Sequence, residues 1–136
     1  MSVTPAEAAQ ACIHRFAGKP MVWGQRDCAT LAAHLLHKRG RAVPMLKGAK
    51  YKSEAGAFRT LKQTGFACLV SAVDGLGLER IPPAAARTGD LVAMPCADAR
   101  WGCALTVAVG NGRVFGYLDG VAQVQAPSSF VAAWRV

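Results

Sequence analysis

The chain has no run of eighteen apolar residues, and it has no histidine after His37. The first absence excludes a transmembrane helix, because such a helix needs about 20 predominantly apolar residues. The second means that any imidazole chemistry has to come from the N-terminal part of the chain. The first residues also lack the basic and apolar regions of a secretory signal, so we expect the protein in the cytoplasm or in a particle assembled there.

Closely spaced metal ligands are also missing. The five cysteines are irregularly spaced, with no C-x-x-C pair, and the histidines form no H-x-x-x-H pair. Structural metal sites need such spacings, so we predict no metal, and no motif indicates another cofactor. An odd number of cysteines without a secretion signal predicts free thiols. Cys12 and Cys68 fall within apolar helical patterns and are interpreted as small core residues.

Acidic residues are scarce, with 8 Asp and Glu against 16 Lys and Arg, for a net charge of +8. Residues 1–65 carry all of this excess, because residues 66–136 hold five basic and five acidic side chains. The excess centres on a segment without acidic residues, 38–52, which we call the basic segment. Its basic residues are Lys38, Arg39, Arg41, Lys47, Lys50 and Lys52.

The basic segment is either a partner-binding site or a solvated loop. Such a patch suits nucleic acid, an acidic protein surface or an anionic cell wall. Tyr51 is its only aromatic residue. A platform for stacking bases is therefore not evident, and nucleic acid is the weaker partner. Trp23, Trp101 and Trp134 are interpreted as core or interface anchors, and Trp134 is the second candidate contact.

Helical patterns occupy the first half of the chain. Thr4-Pro5-Ala6-Glu7 has the form of a capping box with proline at the first helical position, which predicts a helix to about Ala17. Apolar periodicity and capping residues predict three further helices, over Cys28–Lys38, Ser53–Gln63 and Phe66–Leu76.

Two strands and a hairpin are predicted in the second half. Leu91–Met94 and Ala104–Val109 read as strands, and the second is apolar on both faces, so it should be central. Asn111-Gly112 is a strong hairpin signal leading into residues 113–117.

The remaining C-terminal segments complete the prediction. A turn at Gly120 is expected to lead into a strand over 121–125. Residues 80–83 are expected to form a loop, residues 127–133 a last helical turn and residues 134–136 an edge strand. Helices followed by antiparallel strands, without a linker or repeat, predict one α+β domain over residues 1–136.

Asp27-Cys28 places a thiol at the first position of a helix, behind a residue suited to cap it. The partial positive charge of a helix N-terminus is expected to lower the pKa of the Cys28 thiol. Cys28 is therefore the candidate nucleophile. Asp27 either orients a partner group or serves only as the cap. Gln25 either donates to an oxyanion or lies on the surface of a turn.

The histidines are poorly placed to act as a base for Cys28. His34 and His37 follow it on the same helix, roughly 9 and 13 Å along the axis and on other faces. His14, on the preceding helix, is the one imidazole left that could approach the thiol.

Three motifs in the same order resemble the NlpC/P60 superfamily of papain-like cysteine peptidases and amidases. Residues 20–31, PMVWGQRDCATL, resemble its nucleophile segment, P-Y-x-W-G followed by D-C-S-G-L. Residues 88–92, TGDLV, resemble its G-D-L-V strand, and residues 104–112, ALTVAVGNG, its H-V-G-I-Y-x-G-N-G hairpin. The resemblance implies a papain-like fold in which the helix begun by Cys28 packs on the strands Leu91–Met94 and Ala104–Val109.

The departures from that pattern fall on the catalytic residues. The resemblance places the family's histidine at Ala104, its tyrosine before the nucleophile at Met21 and its serine after the nucleophile at Ala29. Acyl transfer by a cysteine needs a base and a group that protonates the leaving amine, and alanine supplies neither. We therefore expect an incomplete site with no imidazole beside Cys28.

The motif WGQRDC together with a C-terminal AAWRV resembles small phage and prophage proteins encoded among tail genes. This implies a structural component of a phage tail, at the tip or baseplate, located in the virion and contacting other tail proteins. Two alternatives remain. One is an active peptidoglycan-cleaving cysteine amidase or endopeptidase that uses Cys28. The other is a basic module that binds nucleic acid or an acidic partner through the basic segment.

Overall fold

Four α-helices precede a six-stranded antiparallel sheet in the computed structural model, which describes residues 3–46, 50–98 and 100–136. The protein is therefore of the α+β class. Short 3-10 turns occupy Pro44–Leu46 and Pro83–Ala85. The helices are α1 (Pro5–Phe16), α2 (Cys28–Lys38), α3 (Glu54–Gln63) and α4 (Leu69–Asp74).

Side-chain caps fix where the first three helices begin. Thr4 and Glu7 form the predicted capping box of α1, and Ser53 accepts from the Gly56 N–H at the start of α3. The boundaries of α1, α2 and α3 agree with the prediction to within a residue or two. Helix α4 is shorter than predicted, because Phe66 lies outside it and packs its ring against Gly75.

The sheet has the order β1-β6-β2-β3-β4-β5. As predicted, β3 is an interior strand, and Asn111-Gly112 joins it to β4 with both residues at positive φ, as a type I′ turn requires. The strands are β1 (Glu79–Ile81), β2 (Leu91–Met94), β3 (Ala104–Gly110), β4 (Arg113–Leu118), β5 (Val121–Gln125) and β6 (Ala132–Arg135).

The main core lies between the helices and one face of the sheet. Leu91, Leu105 and Val107 point into it from β2 and β3, and Phe16 and Leu35 meet them from α1 and α2. Helix α2 packs mainly on β3, as predicted, and its next most extensive strand contact is with β4. The opposite sheet face carries a smaller apolar cluster.

The C-terminal prediction was wrong in two respects. Residues 132–135 form the interior strand β6, between β1 and β2, in place of a helical turn and an edge strand. The edge strand is β1, in the segment predicted to be a loop. Trp134 is fully buried and its indole N–H donates to Asp74 Oδ1 at 2.8 Å. Of its two interpretations, core residue and interface anchor, the first is therefore correct, because no part of its side chain is exposed to a partner.

Asp90 attaches the end of β6 to the rest of the fold. Asp90 is only 3% exposed. Its carboxylate accepts hydrogen bonds from the backbone N–H groups of Arg87 and Val136 and pairs with the Arg135 guanidinium at 3.0 Å. Buried carboxylates are tolerated when such donors surround them. Asp90 belongs to the T-G-D-L-V motif, so this motif has a clear structural role.

Candidate functional site

Cys28 lies at one end of a cavity of about 320 Å³. It is the first residue of α2, and its sulfur faces the backbone N–H of Leu105 near the start of β3. The pairing of β3 with β4 covers Val107 to Gly110 and therefore does not include Leu105. Ala104 also lines the cavity, so the structure brings together the two positions that the sequence singled out.

The buried carboxylate of Asp27 ties three segments together. Oδ1 accepts from the Thr30 N–H at 2.8 Å, which caps α2. Oδ2 accepts from the Gly24 N–H at 2.9 Å and from the Tyr51 hydroxyl at 2.7 Å. Of its two predicted roles, capping is therefore the one that these hydrogen bonds perform, together with a link to Tyr51 that the sequence did not reveal.

Gly24 cannot be replaced by a larger residue without moving this link. Its φ is +83°, and a Cβ atom there would overlap the carbonyl oxygen of Tyr51. Glycine has no Cβ and adopts positive φ freely. The W-G pair of the sequence motif therefore lets the segment around Tyr51 lie directly against the loop that precedes Cys28.

Burial raises the pKa of the Cys28 thiol to about 11, and the nearby Asp27 carboxylate acts in the same direction. The N–H of Leu105 opposes this shift but does not reverse it. The expectation of a lowered pKa was therefore wrong. The apolar surroundings disfavour the thiolate more than the helix terminus favours it.

None of the three histidines, all of which are in the described part of the chain, lines the Cys28 cavity. His34 packs edge-on against Phe16, with ring centroids 5.7 Å apart, and burial lowers its pKa. His14 is exposed on α1. Gln25 is exposed and lines a separate, more polar depression with His34 and His37.

Two tryptophans that line the Cys28 cavity, Trp23 and Trp101, belong to an aromatic stack. Trp101 stacks on Phe58 with centroids 3.8 Å apart and on Trp23 at 5.9 Å. The Arg100 guanidinium covers the outer face of Phe58 at 4.4 Å. The stack joins α3, the loop before α2 and the loop before β3. Sequence reasoning treated these tryptophans only as core or interface residues, because their partners are distant in the chain.

Tyr117, on β4, places an unpaired polar atom at the same end of the cavity. Its hydroxyl oxygen is buried, and among the described residues it has no hydrogen-bond partner. Burial raises its pKa to about 12, so the phenol is neutral at physiological pH. The rest of the lining comes mostly from apolar side chains of α2, α3 and α4, together with Thr60 and Thr64.

The basic segment is largely exposed where it is described. Lys38, Arg41, Lys50 and Lys52 are all exposed. Arg39 is half-buried and donates to the Val3 carbonyl, so it helps to hold the N-terminus. Lys47 lies outside the described residues. The segment thus presents a basic surface, with Arg39 serving the fold.

Within residues 3–46, 50–98 and 100–136, no group of three or more His, Cys, Asp and Glu side chains is arranged to hold a metal ion. All five cysteines are free. Cys12 is buried as predicted, whereas Cys68 is half-buried at the start of α4 and is not a core residue. The same described residues contain no helix long and apolar enough to cross a membrane.

We predict that Tyr51→Phe lowers the free energy of unfolding by about 1.5–3 kcal/mol, because it removes a hydrogen bond to the buried Asp27 carboxylate. Tyr117→Phe deletes the same atom where it has no partner, so it should cost nothing or stabilise slightly. Urea denaturation of both variants measures the difference. Equal losses in the two variants would contradict the role assigned to the Asp27–Tyr51 bond.

We also predict the pH dependence of Cys28 alkylation by iodoacetamide. A pKa of about 11 leaves about one thiol in ten thousand ionised at pH 7. The rate should therefore rise about tenfold per pH unit from pH 7 to pH 10, because only the thiolate reacts. Cys68 is the internal reference, since hydrogen bonding with Ser71 lowers its pKa and its rate should level off earlier. Peptide mass spectrometry follows both, and a Cys28 rate that levels off below pH 9 would refute the prediction.

Comparison with known proteins places the chain in one family. No curated protein and no solved structure matches it. Residues 4–136 match DUF6950, described as a domain of unknown function, and the match therefore covers α1 through β6 and includes Asp27, Cys28 and Ala104. The chain belongs to the DUF6950 family.

Proposed function

We propose that this protein is a structural component of a phage tail, at the tip or baseplate, built on a papain-like domain of the NlpC/P60 type that has lost its catalysis. The order of the motifs supports the proposed ancestry. A cysteine begins a helix that packs on a central strand, and that strand leads into an Asn-Gly hairpin. This is the arrangement that the resemblance implies for residues 20–31 and 104–112.

The observation that carries the proposal is the chemistry beside Cys28. Ala104 occupies the position at which the resemblance expects the base, and burial holds the thiol in its neutral form. Cysteine nucleophiles are activated by an adjacent base or a lowered pKa. Cys28 has neither feature. A structural domain that contacts other tail proteins therefore fits the site better than a hydrolase does.

The basic segment is an exposed surface suited to contacts with other tail proteins, with Lys38, Arg41, Lys50 and Lys52 in solvent. In addition, individual large apolar side chains remain 38–46% exposed on the C-terminal half. These are Leu118, Val124, Phe130 and Val131. Exposed apolar side chains next to polar ones are typical of protein–protein contacts. Peptidoglycan, an anionic cell-wall polymer, is the second candidate partner of the basic surface.

We predict that the purified protein releases no more product from peptidoglycan fragments than its Cys28→Ala variant does. The physical reason is the missing base, since a neutral thiol in an apolar site attacks amides poorly. Chromatography of the digests measures the product. Turnover that depends on Cys28 would favour the active amidase or endopeptidase instead, and His14→Ala would then test the only remaining imidazole.

We predict that reversing charge in the basic segment, with Lys50→Glu and Lys52→Glu together, reduces incorporation into phage particles several-fold. The isolated fold should keep its stability to within about 0.5 kcal/mol, because the two side chains are exposed. Arg59→Glu with Lys62→Glu on α3 is the matched control, with the same change of charge on another exposed surface.

Quantitative mass spectrometry of purified particles measures incorporation. Wild-type protein missing from the particles would refute the tail role. Equal incorporation of both double variants would remove the basic segment from the interface. Salt-dependent binding of the free protein to DNA would favour the basic-module alternative.

A further inference from the structure

The Cys28 cavity continues along α2 beyond the thiol. Its wall on this helix is built from Cys28, Ala29, Ala32, Ala33 and Leu36, which share one helical face. Three of these five residues are alanines, so α2 presents mostly small side chains to the cavity. Helices α3 and α4 face this surface from the other side but do not pack closely on it.

The dimensions of the cavity suit a chain better than a ring. From Cys28 to Leu36 the helix rises by about 12 Å. A cavity of about 320 Å³ that runs along at least that length is elongated. This volume is at the small end of the range for ligand sites in proteins. The far end is closed by aliphatic side chains such as Val43, Leu61 and Val73.

The polar side chains of the lining include Thr60 on α3 and Thr64 at its end, whose hydroxyls donate to backbone carbonyls, and the unsatisfied polar group lies at the end near Cys28. There the buried hydroxyl of Tyr117 has no hydrogen-bond partner in the described part of the chain. A buried hydroxyl without a partner destabilises a protein, because it has lost its hydrogen bonds to water and gained none in return. A ligand head group that bonded to it would remove this cost. The orphan hydroxyl therefore points independently to a ligand with one polar end.

The charge of the lining selects the kind of head group. None of the described residues that line the cavity is a lysine, arginine or histidine, and the only acidic one is Asp27, at the polar end. An anionic head would meet this carboxylate without a cation to balance it. An uncharged head that can hydrogen-bond is the better match.

We propose that this cavity binds a single aliphatic chain with an uncharged hydrogen-bonding head, the chain lying along α2 and the head at the Tyr117 hydroxyl. A free fatty alcohol and the ester end of a lipid acyl chain share this chemistry. Binding of this kind does not depend on the tail role.

Titration with decanol, followed by the fluorescence of Trp23 and Trp101 beside the head-group end, tests the proposal. We expect saturable binding of one decanol per chain, at least tenfold tighter than decanoate. Tyr117→Phe should weaken decanol binding about tenfold, the equivalent of one hydrogen bond. No saturable binding, or tighter binding of decanoate, would overturn the proposal.

Ala32→Phe fills the cavity from α2 and should abolish decanol binding. Ala55→Phe, at an exposed position of α3 away from the cavity, is the matched control and should bind normally. If Ala32→Phe does not fold, as judged by circular dichroism, Ala29→Leu replaces it as a smaller obstruction. Unchanged binding in a folded cavity-filling variant would overturn the proposal.

A second experiment distinguishes a membrane lipid from a free amphiphile as the source of the bound aliphatic chain. Co-sedimentation with phosphatidylcholine vesicles, which carry no net charge to attract a basic protein, tests for capture of a membrane lipid. Loss of co-sedimentation in Ala32→Phe would assign the acyl chain to a bilayer lipid. Decanol binding without co-sedimentation would assign it to a free amphiphile. Co-sedimentation that Ala32→Phe leaves unchanged, with no decanol binding, would overturn the site.

Discussion

The hydrogen bonds of the Asp27 carboxylate hold the rest of the site in place. A buried carboxylate is stable only when donors surround it, and here they come from Gly24, Thr30 and Tyr51. These three residues belong to the loop before α2, to its first turn and to the segment that leads to α3. One side chain thus determines where Cys28 begins its helix and how closely the segment around Tyr51 approaches.

The same arrangement explains why a cysteine at a helix N-terminus is not activated. A helix terminus contributes a modest stabilisation of a nearby negative charge, whereas transfer of a thiolate into apolar surroundings is far more costly. At Cys28 desolvation is the dominant cause of the raised pKa, and the Asp27 charge adds to it. The helix position that suggested a nucleophile therefore holds a neutral thiol in these apolar surroundings.

The sequence predicted what short-range interactions determine. The capping residues Thr4, Asp27 and Ser53 located the starts of three helices, and the positive-φ pair Asn111-Gly112 located a hairpin. It failed where structure depends on distant partners. Strand β6 is short and follows a Pro-Ser-Ser segment that resembles a helix start, and only its pairing with β1 and β2 makes it a strand.

For the candidate site the same division holds. Cys28 and Ala104 could be paired in advance because the order of the motifs implied it. The Tyr51–Asp27 bond and the Trp23–Trp101–Phe58 stack could not, since each joins side chains far apart in the sequence. No local pattern carries such information.

The interior position of β6 also constrains the order in which the chain can fold. Strand β1 pairs only with β6 in the sheet order, although β2 through β5 lie between the two in sequence. During synthesis β1 therefore has no partner strand until residues 132–135 have been made. The β3–β4 and β4–β5 hairpins can form earlier because their contacts are local, whereas contacts between distant segments form slowly. Addition of β1 to the sheet is thus a late event, because only β6 links β1 to the strands β2 to β5.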